Sequence, residues 1–410
     1  MRRFAKSFTQ QEAISDDAIA SAVAVLKSGR LHRYNLAEGE AGETALLESE
    51  FAASLGVDYS LACASGGYAL QLALRACGLE AGDRVLCNAF TLSPVPGSIV
   101  AAGGEAVLVD IRDDTTVDPD DLDRAARESG ARFFVLSHMR GHIGDMDAIV
   151  KVCRSHEIVL IEDCAHTMGA AYDGRPSGTF GKVGCFSTQT YKHINSGEGG
   201  LLATSDAEVM RRAVILSGSY MLFDRHLAAP AADSYGDTRL MTPNMSGRMD
   251  NLRAAILRPQ LAEMEERKQR WNALYRRMEQ RLGDMAQVQT IVRHEQEDFV
   301  GSSIQFRLPR LDAATIAHFV ADCEARGIPL KWYGKPLPED YTSRYDSWGY
   351  LRDTRPLPVA DRVLATLCDL RLPLTFDQTD CDDIVALMSS AMDQAVHHPK
   401  ATPDQAIGSS

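Results

Sequence analysis

An α/β fold on a mainly parallel sheet is the architecture this sequence predicts, and three observations carry it. Short β-rich runs alternate with helical patterns from about residue 60 to residue 205. The segments between those runs carry helix-start signals. At 410 residues the chain is long enough for two or three domains, and its character changes beyond Arg248.

The expected strands are 60–64, 84–88, 106–110, 133–137, 158–163, 185–188 and 201–204, a seven-stranded sheet. Helices are expected at 68–77, at 119–128 behind the cap Asp118 with Pro119 in the first turn, and at 145–155 behind Asp145, with Met146, Ile149 and Val150 on one face. From 250 to about 282 runs a long stretch of helix formers, with Leu252, Ala255, Ile256, Leu261, Met264 and Leu274 as its expected buried side. A β-like 302–308 and helical 313–326 and 380–396 then complete a smaller α+β domain. The expected division is a large domain over 1–250 that includes the N-terminal segment, a linking helix and small domain over 251–400, and a flexible tail at 401–410.

The composition, 45% hydrophobic and 24% charged, is that of a folded globular protein. Lys plus Arg number 43 against 56 Asp plus Glu, a net charge of −13, the wrong sign for holding nucleic acid or an anionic membrane. The nine cysteines form no C-x-x-C pair and sit mostly in apolar runs, so they read as reduced buried thiols. Neither a signal peptide nor a membrane span is legible, and a cytoplasmic location is expected. No metal-spaced His/Cys set, P-loop, nucleophile elbow or dinucleotide fingerprint occurs.

Three segments converge on one place, because the ligand crevice of an open parallel sheet lies outside the carboxyl ends of its strands. Ala64-Ser65-Gly66-Gly67 follows a strand and opens a helix, where free N–H groups and the helix dipole can face an anion. Glu162-Asp163-Cys164-Ala165-His166 ends the apolar strand with an acidic pair. Cys185 to Lys192, followed by His193 to Gly200, sets a lysine after a buried run and ahead of a Gly-rich turn. Alone, each has a plain explanation as a turn, a helix cap or a surface charge. Together, an anion cradle, a carboxylate and a lysine 29 residues further on match the needs of pyridoxal phosphate: an amine for the Schiff base, a partner for the pyridine nitrogen and donors for the phosphate.

The order Ser65-Gly66-Gly67, Ala81-Gly82-Asp83-Arg84-Val85, Asn88-Ala89-Phe90-Thr91, Gly141 to Ile149, Glu162 to His166, Gly178-Thr179-Phe180-Gly181 and the Lys192 segment resembles the DegT/DnrJ/StrS family of sugar aminotransferases. Those are fold type I pyridoxal-phosphate enzymes. The resemblance runs from about residue 28 to 261, with an echo at Arg371-Leu372-Pro373-Leu374. It implies a transaminase that moves an amino group from glutamate or glutamine to a keto sugar, cyclitol or related polyhydroxylated ketone, through pyridoxamine phosphate, in a homodimer with a shared active site. By position, Lys192 matches the Schiff-base lysine that also shuttles the proton, Asp163 the partner of the pyridine nitrogen, and His166 a residue on the ring-hydroxyl side. Ser65, Gly66, Gly67 and Ser187 match the phosphate contacts. Gln189 and the Ser196-Gly197-Glu198-Gly199-Gly200 run lean toward the branch that acts on inososes.

The chain departs from the family pattern in three places. Gly67 stands where a threonine is usual, Leu92 where an aromatic ring commonly stacks on the cofactor, and Ser246-Gly247-Arg248 where an Asn-x-Arg segment reaches the neighbouring subunit's phosphate. Leu92 then offers the ring an aliphatic face, with Phe90 or Tyr68 as the alternative, and Asn244 with Arg248 is the substitute for the intersubunit contact. Lys192 must titrate below its free value to act as a base, an effect expected from the cofactor beside it. His138, Arg140 and His142 read as loop residues, with substrate contact as the alternative that the resemblance implies; the aromatic group Trp332, Tyr333, Tyr341, Tyr345 and Trp348, with Lys331, Lys335 and Arg344, reads as domain packing, with a substrate lid as the alternative; and the resemblance implies Tyr34 as a substrate contact from an N-terminal loop near the cleft. Two other readings stay open: a lyase or dehydratase on the same scaffold, and a cofactor-binding regulatory protein without turnover.

Overall fold

In the computed structural model, which describes residues 2–336, 344–351 and 355–397, all seven expected strands form one sheet. They are β1 (Tyr59–Cys63), β2 (Arg84–Asn88), β3 (Glu105–Val109), β4 (Phe133–Ser137), β5 (Val159–Asp163), β6 (Val183–Ser187) and β7 (Gly200–Thr204). Their spatial order is β1-β7-β6-β5-β4-β2-β3. Five strands from β3 to β6 pair in parallel, whereas β7 is antiparallel to both of its neighbours, which leaves β1 running with the rest. The carboxyl ends of β1, β4, β5 and β6 therefore open on the same side.

The caps form as read. Asp118 accepts from Asp120 N, and Asp145 from Ala148 N at 2.9 Å. The first intervening helix is Gly66–Ala76, with the Ser65 side chain accepting from Tyr68 N at 3.1 Å. The long run after residue 250 is divided: one helix spans Asn251–Ala262, the next Met264–Gly283. Pro259, which has no N–H to give, sits in the last turn of the first helix and leaves a gap in its ladder, and Glu263 N still donates to Pro259 O. Ala254, Ala255 and Leu257 form that helix's buried face, and Leu252, Ile256 and Leu261 are half-buried, so the expected apolar side is rotated.

Beyond it stands a second, wholly antiparallel sheet. It consists of β8 (Gln289–Thr290), β9 (Ser303–Arg307), β10 (Lys331–Trp332) and β11 (Leu367–Arg371), in the order β8-β9-β11-β10. The helix Gln378–His397 packs against Met264–Gly283 and Ala313–Ala325 beside it. The N-terminal residues also lie here: Phe4 and Phe8 meet the Phe376 ring edge-on, and Phe4 N donates to Arg326 O. All nine cysteines are free thiols, eight of them buried. Among the described residues no helix is long and apolar enough to cross a membrane. The tail 401–410 and Tyr341 lie outside the described residues.

Candidate active site

One cleft of about 450 Å³ opens at the carboxyl ends of the sheet strands, and Ser65, Gly66, Gly67, Leu92, Asp163, His166, Ser187, Gln189 and Lys192 all line it. Residues spread over 128 positions of sequence thus meet because β1, β5 and β6 end together. Gly66 is pressed against the end of β6: a Cβ there would fall 2.8 Å from Ser187 Cβ, so only glycine fits. At Gly67 the nearest atom to such a Cβ would be Ser98 Oγ at 3.7 Å, so this position tolerates a side chain. The N–H groups of Gly66 and Gly67, orphans within the helix, are the available anion donors, since Tyr68 N is taken by Ser65 Oγ.

Asp163 is held at two points. Ser137 Oγ donates to its Oδ2 at 2.8 Å, and Ala165 N to its Oδ1 at 3.2 Å. Lys192 sits on a loop cross-braced by Thr188 N to Gly199 O and Thr190 N to Gly197 O. Its Nζ is 3.0 Å from His166 Nε2. Burial, with the charges of Lys192 and Arg140, pushes the His166 ring well below its usual range, so the ring that meets the lysine is neutral. Burial lowers the Lys192 amine; Asp163 pulls it back up, Arg140 and Arg371 push it down again, and it comes to rest at about 7. The depression expected from a cofactor is thus already built into the protein.

Arg140, Tyr191, Trp271, Lys331 and Arg371 also line the cleft; the sequence reads Arg140 as a loop residue and Lys331 as domain packing, each with substrate contact as the alternative, and does not single out Tyr191, Trp271 or Arg371 as site residues. Arg140 adopts a left-handed conformation at φ 58°, pairs with Asp369 at 2.9 Å and donates from Nε to the Tyr333 hydroxyl at 3.1 Å. Arg371 belongs to the echo segment, which was its one signal.

Asn244 and Arg248, expected at the neighbouring subunit's phosphate, do not line this chain's own cleft: Asn244 is exposed, and Arg248 donates to Gly218 O beside the β1 end. Neither substitute for the ring face lines it. Phe90 is buried edge-on to Tyr333, with centroids 5.1 Å apart, and Tyr68 donates to Met245 O at 2.9 Å. Leu92 does line it. Tyr34 lies elsewhere, buried against Ser219 and His226 in a network that contains the ion pair of Arg33 with Glu48.

His138, Glu162 and Cys164 present atoms within 4.8 Å of one another, a grouping that their spacing did not reveal. Glu162 accepts there from Gly178 N and Gly181 N, and His138 pairs with it at 3.1 Å, which accounts for the cluster as a brace for that turn. His142 bonds Gln305 at 2.7 Å, Trp332 donates to Ala365 O and Tyr345 to Asp361, so these side chains serve packing.

A mainly parallel sheet buried on both faces, with one antiparallel strand inside it and a lysine, a carboxylate and a helix start at its strand ends, is the architecture of an α/β protein with a lysine-centred cleft. The chain belongs to the DegT/DnrJ/EryC1/StrS aminotransferase family, whose model matches residues 12–389. It is 35% identical over 255 residues to the L-glutamine:2-deoxy-scyllo-inosose aminotransferase of Streptoalloteichus tenebrarius, covering 62% of this chain and 58% of that one. It is 29% identical over 318 residues to a pleiotropic regulatory protein of Geobacillus stearothermophilus, covering 76% and 79%. The chain spans 40 to 62% of the length of the inosose aminotransferases it matches. Among solved structures, S. venezuelae DesV in complex with a ketimine intermediate superposes with a TM-score of 0.76 at 26% identity, covering 92% of this chain and 94% of that one.

Proposed function

We propose that this protein is a pyridoxal-phosphate-dependent aminotransferase that moves an amino group from glutamine or glutamate to a keto cyclitol or related polyhydroxylated ketone. Glutamine with a keto cyclitol is the pair that the relatives' names favour. The observation that carries the reading is Lys192, its amine at about 7 and in contact with neutral His166, in the same cleft as Asp163.

The residues fit the cofactor. Lys192 is neutral in half its copies near pH 7 and so available to a carbonyl carbon. Asp163, fixed by Ser137 and Ala165, offers a carboxylate to a ring nitrogen, and Ser65, Gly66, Gly67 and Ser187 form the phosphate end. Leu92 supplies an apolar face, and Gln189, whose Oε1 accepts from Tyr191 N at 3.0 Å, borders the lysine. When bound, pyridoxal phosphate supplies an electron-withdrawing ring that takes up the electron pair left as a substrate carbon loses its proton. Lys192 accepts that proton at Nζ and returns it to the neighbouring carbon, and His166 limits where Nζ can swing. Asp163 keeps the ring end of the site negative, which favours the protonated nitrogen.

Two lobes divided near residue 250 and a homodimer with a shared site complete the proposal. Supporting the dimer, the segment after the helix Ala207–Leu216 exposes Met221, Leu240 and Met241, the last two 74% and 81% exposed, beside Asn244.

The test is the visible absorbance of the purified protein with pyridoxal phosphate, before and after glutamine or glutamate, beside Lys192→Ala. A band that bleaches with one donor and is missing in the variant supports amino transfer. A band that neither donor changes favours the regulatory reading to which one relative's name points.

A further inference from the structure

Ser137, on the cleft wall, is one of the two groups that hold the Asp163 carboxylate, and its own place depends on a side chain outside the cleft. The ladder between β2 and β4 pairs Val85 with Phe133, Leu86 with Phe134 and Cys87 with Val135, and goes no further. Asn88 and Ala89 stay with β3, at Val109. Ser137 lies two residues past the last pair, buried, with an N–H and a C=O on the β2 side that no main chain meets. The Asn88 side chain takes up both: its Oδ1 accepts from Ser137 N at 2.8 Å, and its Nδ2 donates to Ser137 O at 3.2 Å. Nδ2 also donates to Phe90 O at 2.7 Å, in the turn that leads to Leu92. One donor and two acceptors around the amide fix which way it faces, and Asn is the short side chain that carries both an acceptor and two donor hydrogens.

We infer that Asn88 is a positioning residue for the ring end of the cofactor site: it sets Ser137 where its hydroxyl turns the Asp163 carboxylate toward the ring nitrogen. The inference rests on the pyridoxal-phosphate reading of the cleft. Ser137 stands opposite Asp163 in the β4–β5 register, and its Oγ donates to Oδ2 at 2.8 Å. Ala165 N holds Oδ1 at 3.2 Å, so the carboxylate plane is set by one bond from its own loop and one from β4. Without the Asn88 amide, two buried backbone groups of Ser137 have no partner, and the main chain shifts to find one. The hydroxyl shifts with it, and one oxygen of Asp163 is free to turn away from the nitrogen. The phosphate end is built on the ends of β1 and β6, which lie beyond β4 and β5 as seen from β2, so the two ends of the site respond separately.

The experiment uses binding in place of turnover. Equilibrium dialysis gives the dissociation constants of pyridoxal phosphate and of its 1-deaza analogue, in which a C–H replaces the ring nitrogen while the aldehyde and phosphate remain. Wild type prefers pyridoxal phosphate. Asn88→Ala and Ser137→Ala each lower that preference about tenfold, close to the worth of one hydrogen bond to a charged group. The double variant loses no more than either single one, because both act through the same bond. Asn88→Asp keeps an acceptor for Ser137 N and serves if Asn88→Ala does not fold; it lowers the preference about fourfold. A general loosening of the site weakens both ligands together and leaves their ratio alone. A ratio within about twofold of wild type in either Asn88 variant therefore overturns the inference and makes Asn88 a structural residue only. So does a double variant whose loss is the product of the single losses, or a wild type that binds the two ligands equally. A wild type that binds neither overturns the cofactor reading and the inference together, whereas one whose bound pyridoxal phosphate no donor changes overturns amino transfer alone.

Discussion

Lowering the pH of the cofactor-free protein from 8 to 6 should protonate Lys192 while leaving ordinary lysines as they were. With its amine at about 7 in place of 10.5, about half of the Lys192 amines are neutral at pH 7, against about one in 3,000 for an unperturbed lysine. Between pH 8 and pH 6 the neutral share falls from about nine-tenths to about one-tenth. A short pulse of acetic anhydride at a series of pH values, followed by peptide mass spectrometry, reads that share as acetylation, with exposed Lys151 as the internal reference. The direction of two variants follows from the charges around the amine. Asp163→Asn removes the one group that pulls the amine up and should move the midpoint below 7, whereas Arg371→Gln removes a repelling cation and should move it above 7. A wild-type midpoint above about 9, or a midpoint that neither variant moves, refutes the view that burial and the two arginines prepare this lysine in advance.

Gly66→Ala should lower stability by about 1–3 kcal/mol and weaken pyridoxal phosphate binding, because its Cβ meets Ser187 Cβ at 2.8 Å, whereas Gly67→Ala should melt as wild type does; thermal melts with and without the cofactor check both. Burial alone would raise the Glu48 carboxyl, yet Arg33 and His226 hold it at about 2 against the ordinary 4.5. A depressed carboxyl stabilises the fold above its unfolded value and loses that contribution as pH falls from about 4.5 through about 2, so Glu48→Gln should cost about 3 kcal/mol at pH 7 in urea unfolding and flatten the acid limb. Leu240→Glu with Met241→Glu should convert a dimer into a species of the 44.8 kDa chain mass in sedimentation.

The elements that were legible are those in which local chemistry and tertiary position agree. Asp118 and Asp145 cap the helices they precede, and the seven strands fall within two residues of where their β-rich runs lie. The helix Pro94–Ala102 was not legible, since two prolines and a glycine in its first turn resemble a loop until the fixed φ of Pro is given a helix to start. The orientation of β7 was hidden as well, because a short apolar run reads the same in either direction and only its partners set its sense.

By itself the sequence determined which residue types follow the strand ends, Ser65 to Gly67, Asp163 and Lys192, and those are the groups the chemistry needs. Only the tertiary structure decided what surrounds them. Burial and the approach of Arg140 and Arg371, one from the loop after β4 and the other from the end of β11, set the amine of Lys192. A pKa is the sum of desolvation and charge at one point in space. That sum depends on residues 52 positions before the lysine and 179 after it, distances along the chain over which no local pattern carries a signal.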